Sequence, residues 1–138
     1  MSDRKVFRTR HTLRFGHCDI SGSAYFPDYL DLLNTVNEEY WAHIGYPWHS
    51  TIRDAGWGTP TVHLSCDFTI ASLYGDELDF EVRIAKVGRS SVTVEHQISC
   101  NSERRWSATQ VLVASDLEKH TSRPWPDDVR SELLRWAE

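Results

Sequence analysis

The chain is poor in cysteine and has no pair of cysteines at metal-binding spacing. Cys18, Cys66 and Cys100 are odd in number and far apart, which excludes a disulfide framework and a Cys-based zinc site and leaves reduced, buried or inert thiols as the expectation. Positive charge is also short: 15 Lys and Arg against 20 Asp and Glu give a net charge of -5. A general nucleic-acid binder needs a basic surface to displace counterions from phosphates, so that class of partner is not expected. Long hydrophobic runs are missing as well. Residues 1–10 are polar and basic with no apolar stretch behind them, so neither a signal peptide nor a membrane anchor is visible, and a cytoplasmic protein without a membrane partner is expected. There is no internal repeat and no low-complexity linker. What remains, 138 residues that are 40% hydrophobic and 25% charged, has the composition of an ordinary globular protein and the length of one domain, 1–138.

The periodicity of the apolar residues sets the elements. Residues 5–15 read as a strand. Residues 27–45 then carry Tyr29, Leu33, Val36, Tyr40 and Ile44 at helical spacing, with Pro27 suited to a first turn, Asp28 near the positive end of the dipole, and Gly45 and Pro47 as stops. One helical turn is expected near 50–55. Strands follow over 59–70, 77–87, 91–101 and 106–117, with clear alternation in Leu78, Phe80, Val82, Ile84 and in Val92, Val94, His96, Ile98. Tyr74-Gly75-Asp76, Val87-Gly88-Arg89 and Asn101-Ser102-Glu103 read as hairpin turns. A short helix over 124–138, with Val129, Leu133, Leu134 and Trp136 as its apolar side, closes the chain. One strand, one long helix and four further strands imply an α+β protein in which a curved, five-stranded antiparallel sheet wraps around the helix.

The chemistry concentrates in Arg14-Phe15-Gly16-His17-Cys18-Asp19-Ile20-Ser21-Gly22-Ser23-Ala24-Tyr25-Phe26-Pro27-Asp28-Tyr29, where a strand ends, a carboxylate follows and the long helix begins. A helix start has unpaired N–H groups and a partial positive charge, and so can hold negative charge developing on a carbonyl oxygen. Asp19 beside it would be ionised at neutral pH, as a nucleophile or a base requires. The competing reading is that Asp19 only caps the turn before the helix. His17 lies two residues from Asp19, but no second His or carboxylate recurs at ligand spacing, so no metal or other cofactor is expected. No Gly-x-Ser-x-Gly elbow surrounds Ser21 or Ser23, which speaks against a Ser-His-Asp hydrolase. His63 and His96 fall in apolar strands and read as packed core histidines.

Across nearly its whole length the sequence resembles the hotdog-fold acyl-CoA thioesterases, most closely the 4-hydroxybenzoyl-CoA thioesterase type. The resemblance rests on Phe15-Gly16-His17-Cys18-Asp19 with Gly22 and Tyr25-Phe26-Pro27-Asp28-Tyr29 after it, on Gly58-Thr59-Pro60, and on Ala71-Ser72-Leu73-Tyr74-Gly75-Asp76-Glu77-Leu78. Arg89-Ser90-Ser91 and His96 agree more weakly. It implies that Asp19 acts on a thioester carbonyl as nucleophile or as base for water, and that the backbone N–H of Phe26 polarises the thioester oxygen. Tyr25, Asn34, Trp57 and Thr59 would then line the acyl site, with Arg89, Ser90 and Ser91 at the phosphates of coenzyme A. Trp57 can also be read as an aromatic that only covers the core. The chain departs from the compared pattern at His17, where an aspartate stands, at Asn34, where an acid stands, and at Arg89, where the run is more basic. Members of this fold pair as dimers and tetramers with active sites between subunits, so a homodimer or homotetramer is expected. The implied activity is hydrolysis of an acyl-CoA thioester, with an aromatic, hydroxybenzoyl-like acyl group favoured. The alternatives are a short- or medium-chain aliphatic acyl-CoA thioesterase and a non-catalytic acyl-thioester binding domain.

Overall fold

A computed structural model describes residues 5–137. In chain order the elements are β1 (Phe7–Thr12), α1 (Phe26–His43), β2 (Trp57–Gly58), β3 (Thr61–Phe68), β4 (Glu77–Val87), β5 (Ser91–Cys100), β6 (Glu103–Val113), β7 (Ser115–Asp116), β8 (Thr121–Ser122) and α2 (Asp127–Ala137). A five-stranded sheet in the order β1-β4-β5-β6-β3 lies against α1, and every neighbouring pair in it is antiparallel. Alternation places Leu78, Phe80, Val82 and Ile84 of β4, Val92, Val94 and Ile98 of β5, and Trp106 and Leu112 of β6 in the core. They share it with Tyr29, Leu32, Leu33, Val36, Tyr40 and Trp41 of α1. α1 ends where Gly45 takes φ +102, a left-handed conformation that lets Tyr46 N–H return 2.8 Å to the carbonyl of Trp41.

The departures from the sequence reading have local causes. The strand expected over 59–70 is shorter, Thr61–Phe68: Pro60 has no N–H for the ladder, and Thr69 and Ile70 both turn their N–H groups to the Arg105 carbonyl, at 2.9 and 3.2 Å. Trp57 and Gly58, ahead of it, pair with β7 in a small second sheet with β8. The strand expected over 106–117 begins earlier, at Glu103, and breaks at Ala114, whose N–H goes to the carbonyl of Ser90 at 2.7 Å. The turn near 50–55 is a wide one over His49–Asp54, closed by Ala55 N–H on the Ser50 carbonyl at 3.0 Å. Asn101 and Ser102 join β5 to β6 with φ of 50 and 67, the left-handed pair of a two-residue hairpin. α2 lies inside the expected 124–138, whose last residue is outside the described ones, and it buries Val129, Leu133 and Trp136 while Leu134 stays exposed. His63 is not a core histidine: it sits exposed on β3, the outer strand of the sheet.

His96 is one. It is 2% exposed, and its Nε2 lies 3.0 Å from Gln110 Oε1, which also accepts Asn37 Nδ2–H at 2.8 Å. Gln110 Nε2–H donates onward to Thr61 Oγ1 at 2.8 Å. With Gln110 Oε1 accepting, the ring proton is on Nε2, and Nδ1 has no protein partner among the described residues. Burial pushes the imidazole down to about 4, against a partial lift from Gln110. The unfolded chain therefore binds this proton first as pH falls. Stability is full above pH ~6.5 and declines by on the order of 3 kcal/mol towards pH 4. Urea titrations across that range should show the decline in the native protein and a flatter profile in His96→Gln. Equal slopes would remove His96 as its source.

Candidate active site

The loop between β1 and α1 is a small hairpin held from both sides. Cys18 bridges Ala24. Asp19 N–H donates to the Ser23 carbonyl at 3.0 Å, and Tyr25 N–H to the His17 carbonyl at 2.8 Å. The hairpin turns at Gly22, whose φ of +83 requires a residue without Cβ, and whose N–H reaches the Asp19 carbonyl at 3.0 Å. The segment before β4 clamps it: Ala24 N–H donates to Ser72 O at 2.9 Å and Tyr74 N–H to Gly22 O at 3.0 Å. That clamp is locked in turn by Asp76, whose Oδ2 accepts Leu73 N–H at 2.9 Å and Arg105 Nη1–H at 2.6 Å. Burial pushes the Asp76 carboxyl up, but these two donors outweigh it and hold it below the ordinary value. The sequence read Tyr74-Gly75-Asp76 as a plain hairpin turn. Its second task, bracing the Asp19 loop, has no signature along the chain because Ser72 and Tyr74 stand 48 and 52 positions beyond their partners Ala24 and Gly22.

Asp19 itself is exposed. Its Oδ1 accepts both the N–H of Ser21, at 2.8 Å, and the Ser21 hydroxyl. These two donors, the hydroxyl first, lower its pKa below the usual carboxylate value. The arrangement is a capping turn, as the competing reading of Asp19 expects, yet Oδ2 keeps no partner among the described residues on this exposed side chain. Across the hairpin α1 begins. Tyr25 precedes it with φ -75 and ψ 126 and no side-chain cap. Pro27 has no N–H, and Asp28 N–H is taken by the Tyr25 carbonyl at 2.8 Å. The amide of Phe26 is left without an acceptor among the described residues, at the positive end of an 18-residue helix. The carboxylate lies on the first strand of the hairpin and the unpaired N–H just beyond its second strand, at the start of α1. A carboxylate can attack a carbonyl carbon or activate water, and a helix-start N–H can hold a developing oxyanion. Cys18, between them, is no competitor as a nucleophile: burial first, then the carboxylates of Asp19, Asp28 and Asp76, push its thiol up.

The same end of the molecule exposes an aromatic surface. Tyr25 and Phe26 are 52% and 57% exposed. The Phe26 ring meets Phe68 edge-on at 5.8 Å, and Phe68 stacks on Tyr29 and Trp106 at 5.3 and 5.5 Å. Asn34 is exposed on α1, roughly 12 Å along the helix from Phe26.

The other expected site residues lie elsewhere. Thr59, with Gly58 and Pro60, lines a mostly apolar cavity of about 340 Å³ shared with Trp48, Ile52 and Leu117. Trp57 is 5% exposed and packs edge-on against Trp41 and Trp125 at 6.4 and 6.2 Å, so it covers the core. Arg89, Ser90 and Ser91 form the β4–β5 turn, braced by Trp125 N–H on the Arg89 carbonyl and Trp125 Nε1–H on the Ser91 carbonyl, both at 3.0 Å. Val113 N–H on Pro60 O at 3.1 Å and Ala114 N–H on Ser90 O at 2.7 Å tie residues 58–60 and 89–91 to one end of the sheet. Asp19 is tied, through Asp76 and Arg105, to the other. β4 spans the gap with 11 residues, roughly 35 Å. Within one chain the two groups do not meet.

Comparison with known proteins gives a consistent result. The sequence profile described as "Thioesterase-like superfamily" matches residues 13–133. The chain is 33% identical over 89 residues to the 4-hydroxybenzoyl-CoA thioesterase of Pseudomonas sp. (strain CBS-3), an alignment that spans 63% of each chain. It is 24% identical over 128 residues to the 1,4-dihydroxy-2-naphthoyl-CoA hydrolase of Synechococcus elongatus, covering 92% of this chain and 94% of that one. The solved structure of the Pseudomonas enzyme superposes with a TM-score of 0.84 at 27% identity, over 94% of this chain and 99% of that one.

Proposed function

The chain belongs to the thioesterase-like superfamily and has the hotdog fold, and from that premise we propose that it hydrolyses an acyl-CoA thioester to the free acid and coenzyme A. The single observation that supports the proposal is the Phe26 amide at the start of α1, without an acceptor among the described residues, in the segment that also carries the exposed Asp19 carboxylate. The amide receives the thioester oxygen as it gains charge. As a base, Asp19 takes a proton from water while the water oxygen bonds to the acyl carbon, the C–S bond breaks and that proton passes to the departing thiolate. As a nucleophile, its oxygen displaces the thiolate to form a mixed anhydride, which water then hydrolyses to the free acid, returning the carboxylate and supplying the thiolate's proton. An aromatic acyl group is favoured. Tyr25 and Phe26 offer flat apolar area beside Asp19, and Asn34 offers a neutral amide that can donate to or accept from a ring hydroxyl. The relatives act on hydroxybenzoyl-CoA and dihydroxynaphthoyl-CoA by name. Arg89 gives a cation for the phosphates of coenzyme A, with the Ser90 and Ser91 hydroxyls beside it.

The complete site takes two copies. Among the described residues β3 is paired on one side only, with β6. Antiparallel pairing of that edge with its twin in a second chain sets the Thr59 end of one β3 beside the Phe68 end of the other. The 35 Å gap within a chain then becomes a short step between chains, and Thr59 joins Asp19, Phe26 and Tyr25. The experiment is thiol release from benzoyl-, hydroxybenzoyl-, phenylacetyl- and aliphatic CoA thioesters, with the solution mass measured on the same sample. Turnover fastest on the hydroxybenzoyl ester, from a species of at least two 16.0 kDa chains, is the expected result. No release from any ester would turn the assignment into a binding domain, and a fully active monomer would remove the two-chain site.

A further inference from the structure

Resting on the hydrolase reading above, we infer that Ser21 is the positioning residue of the reaction, its hydroxyl pinning one oxygen of Asp19 so that the other alone is presented to substrate. The hydrogen-bond directions leave little choice. An ionised carboxylate only accepts, so Ser21 Oγ–H donates to Asp19 Oδ1. That hydroxyl has one proton, so the contact of 2.8 Å between Ser21 Oγ and Ser23 Oγ is filled by the proton of Ser23. The result is a one-way relay, Ser23 to Ser21 to Asp19, reinforced by Ser23 N–H at 3.4 Å from Ser21 Oγ. Oδ1 thus takes two donors from one residue, the Ser21 N–H and its hydroxyl, and the carboxylate cannot rotate to exchange its oxygens without breaking both.

The turn does not need the hydroxyl. Ser21 N–H at 2.8 Å already closes it and would survive in alanine. The hydroxyl adds a second constraint on a side chain that is otherwise exposed, and such a constraint serves orientation rather than stability. It also acts on charge. The charged groups at this end are Asp28 on α1 and Asp76, which with Asp19 act on the neighbouring Cys18 thiol, and Arg105 of β6, which is paired with Asp76. What pushes the Asp19 carboxyl up is its slight burial, and the two Ser21 donors outweigh it and keep it anionic. Geometry before the transition state and charge state are both set by one residue.

The test compares Ser21→Ala and Ser21→Thr with the native enzyme. Ser21→Ala should lower kcat roughly tenfold with KM within twofold, and should move the acid limb of the kcat/KM profile to higher pH, because the bond that favours the anion is gone. Ser21→Thr, which restores a hydroxyl, should recover both. Native kcat and an unmoved acid limb in Ser21→Ala overturn the inference. Complete loss of turnover at every pH in folded Ser21→Ala also overturns it, by making the hydroxyl the nucleophile. A readout independent of turnover separates this inference from the hydrolase reading: carbon-13 NMR titration of the Asp19 carboxyl. A higher midpoint in Ser21→Ala supports the pinning even if no acyl-CoA is cleaved, and an unchanged midpoint removes it even if every ester is.

Discussion

Asp19→Asn should lower thiol release by roughly 10²–10⁴-fold, the range a positioned acid or base contributes, while leaving the far-ultraviolet circular dichroism and the melting temperature unchanged within a degree or two. The asymmetry follows from the loop. Asn keeps an acceptor at the Oδ1 position for Ser21 N–H, so the turn that Asp19 closes persists, and the side chain is exposed, so no packing is lost. What disappears is the anion, and Asn can neither attack a thioester carbon usefully nor take a proton from water. Because the Ser21 donors hold the native carboxyl below its ordinary value, native activity should stay flat from neutral pH down past the usual carboxylate range, falling only at more acid pH. A variant that kept a tenth or more of native turnover would take Asp19 out of the chemistry and leave it as a turn residue, the competing reading that its hydrogen bonds also satisfy.

The elements that were legible in the sequence are those whose pattern is set by the core alone. β4 runs from Glu77 to Val87 as its alternation and flanking turns indicate, and α1 keeps to its 3.6-residue period until Gly45. The errors come from information that a one-dimensional pattern does not carry. Thr59 and Pro60 look like the start of β3, but Pro60 has no N–H to give to a ladder, so the strand starts only at Thr61. His63 and His96 sit in similar alternating strands, yet one strand is an edge and the other is central, and only topology distinguishes them. For the site the division is the same. The placing of Asp19 in the turn just before α1, and of Phe26 at its first position, was legible because the two are neighbours in the chain. The separation of Thr59 and Arg89 from them was not, since strand order decides which ends of the sheet coincide. Ser21 does have a local signal: an Asp side chain accepts from the backbone N–H two residues on, and a Ser at that position can add its hydroxyl to the same oxygen.

Phe26→Pro isolates the second half of the machinery, because it deletes one hydrogen from the main chain and little else from the backbone. Proline is well suited to the first position of a helix, where its missing N–H has no helical partner and its fixed φ is already helical. Tyr25, which would precede it, has φ -75 and ψ 126, the extended conformation a residue before proline adopts. Helix formation should therefore survive, and kcat should fall about 10²–10³-fold, the effect of removing one donor to a developing oxyanion, or about 2.7–4 kcal/mol of transition-state stabilisation. Phe26→Ala is the necessary companion: it keeps the amide and removes the ring that meets Phe68 at 5.8 Å. If the amide is the functional group, Phe26→Ala loses mainly in KM, through the apolar surface offered to the acyl group, and Phe26→Pro, which lacks the ring too, shares that loss and adds the fall in kcat. Equal loss in the two variants would assign the effect to the aromatic ring, and the oxyanion would then have to be held by a donor other than the start of α1.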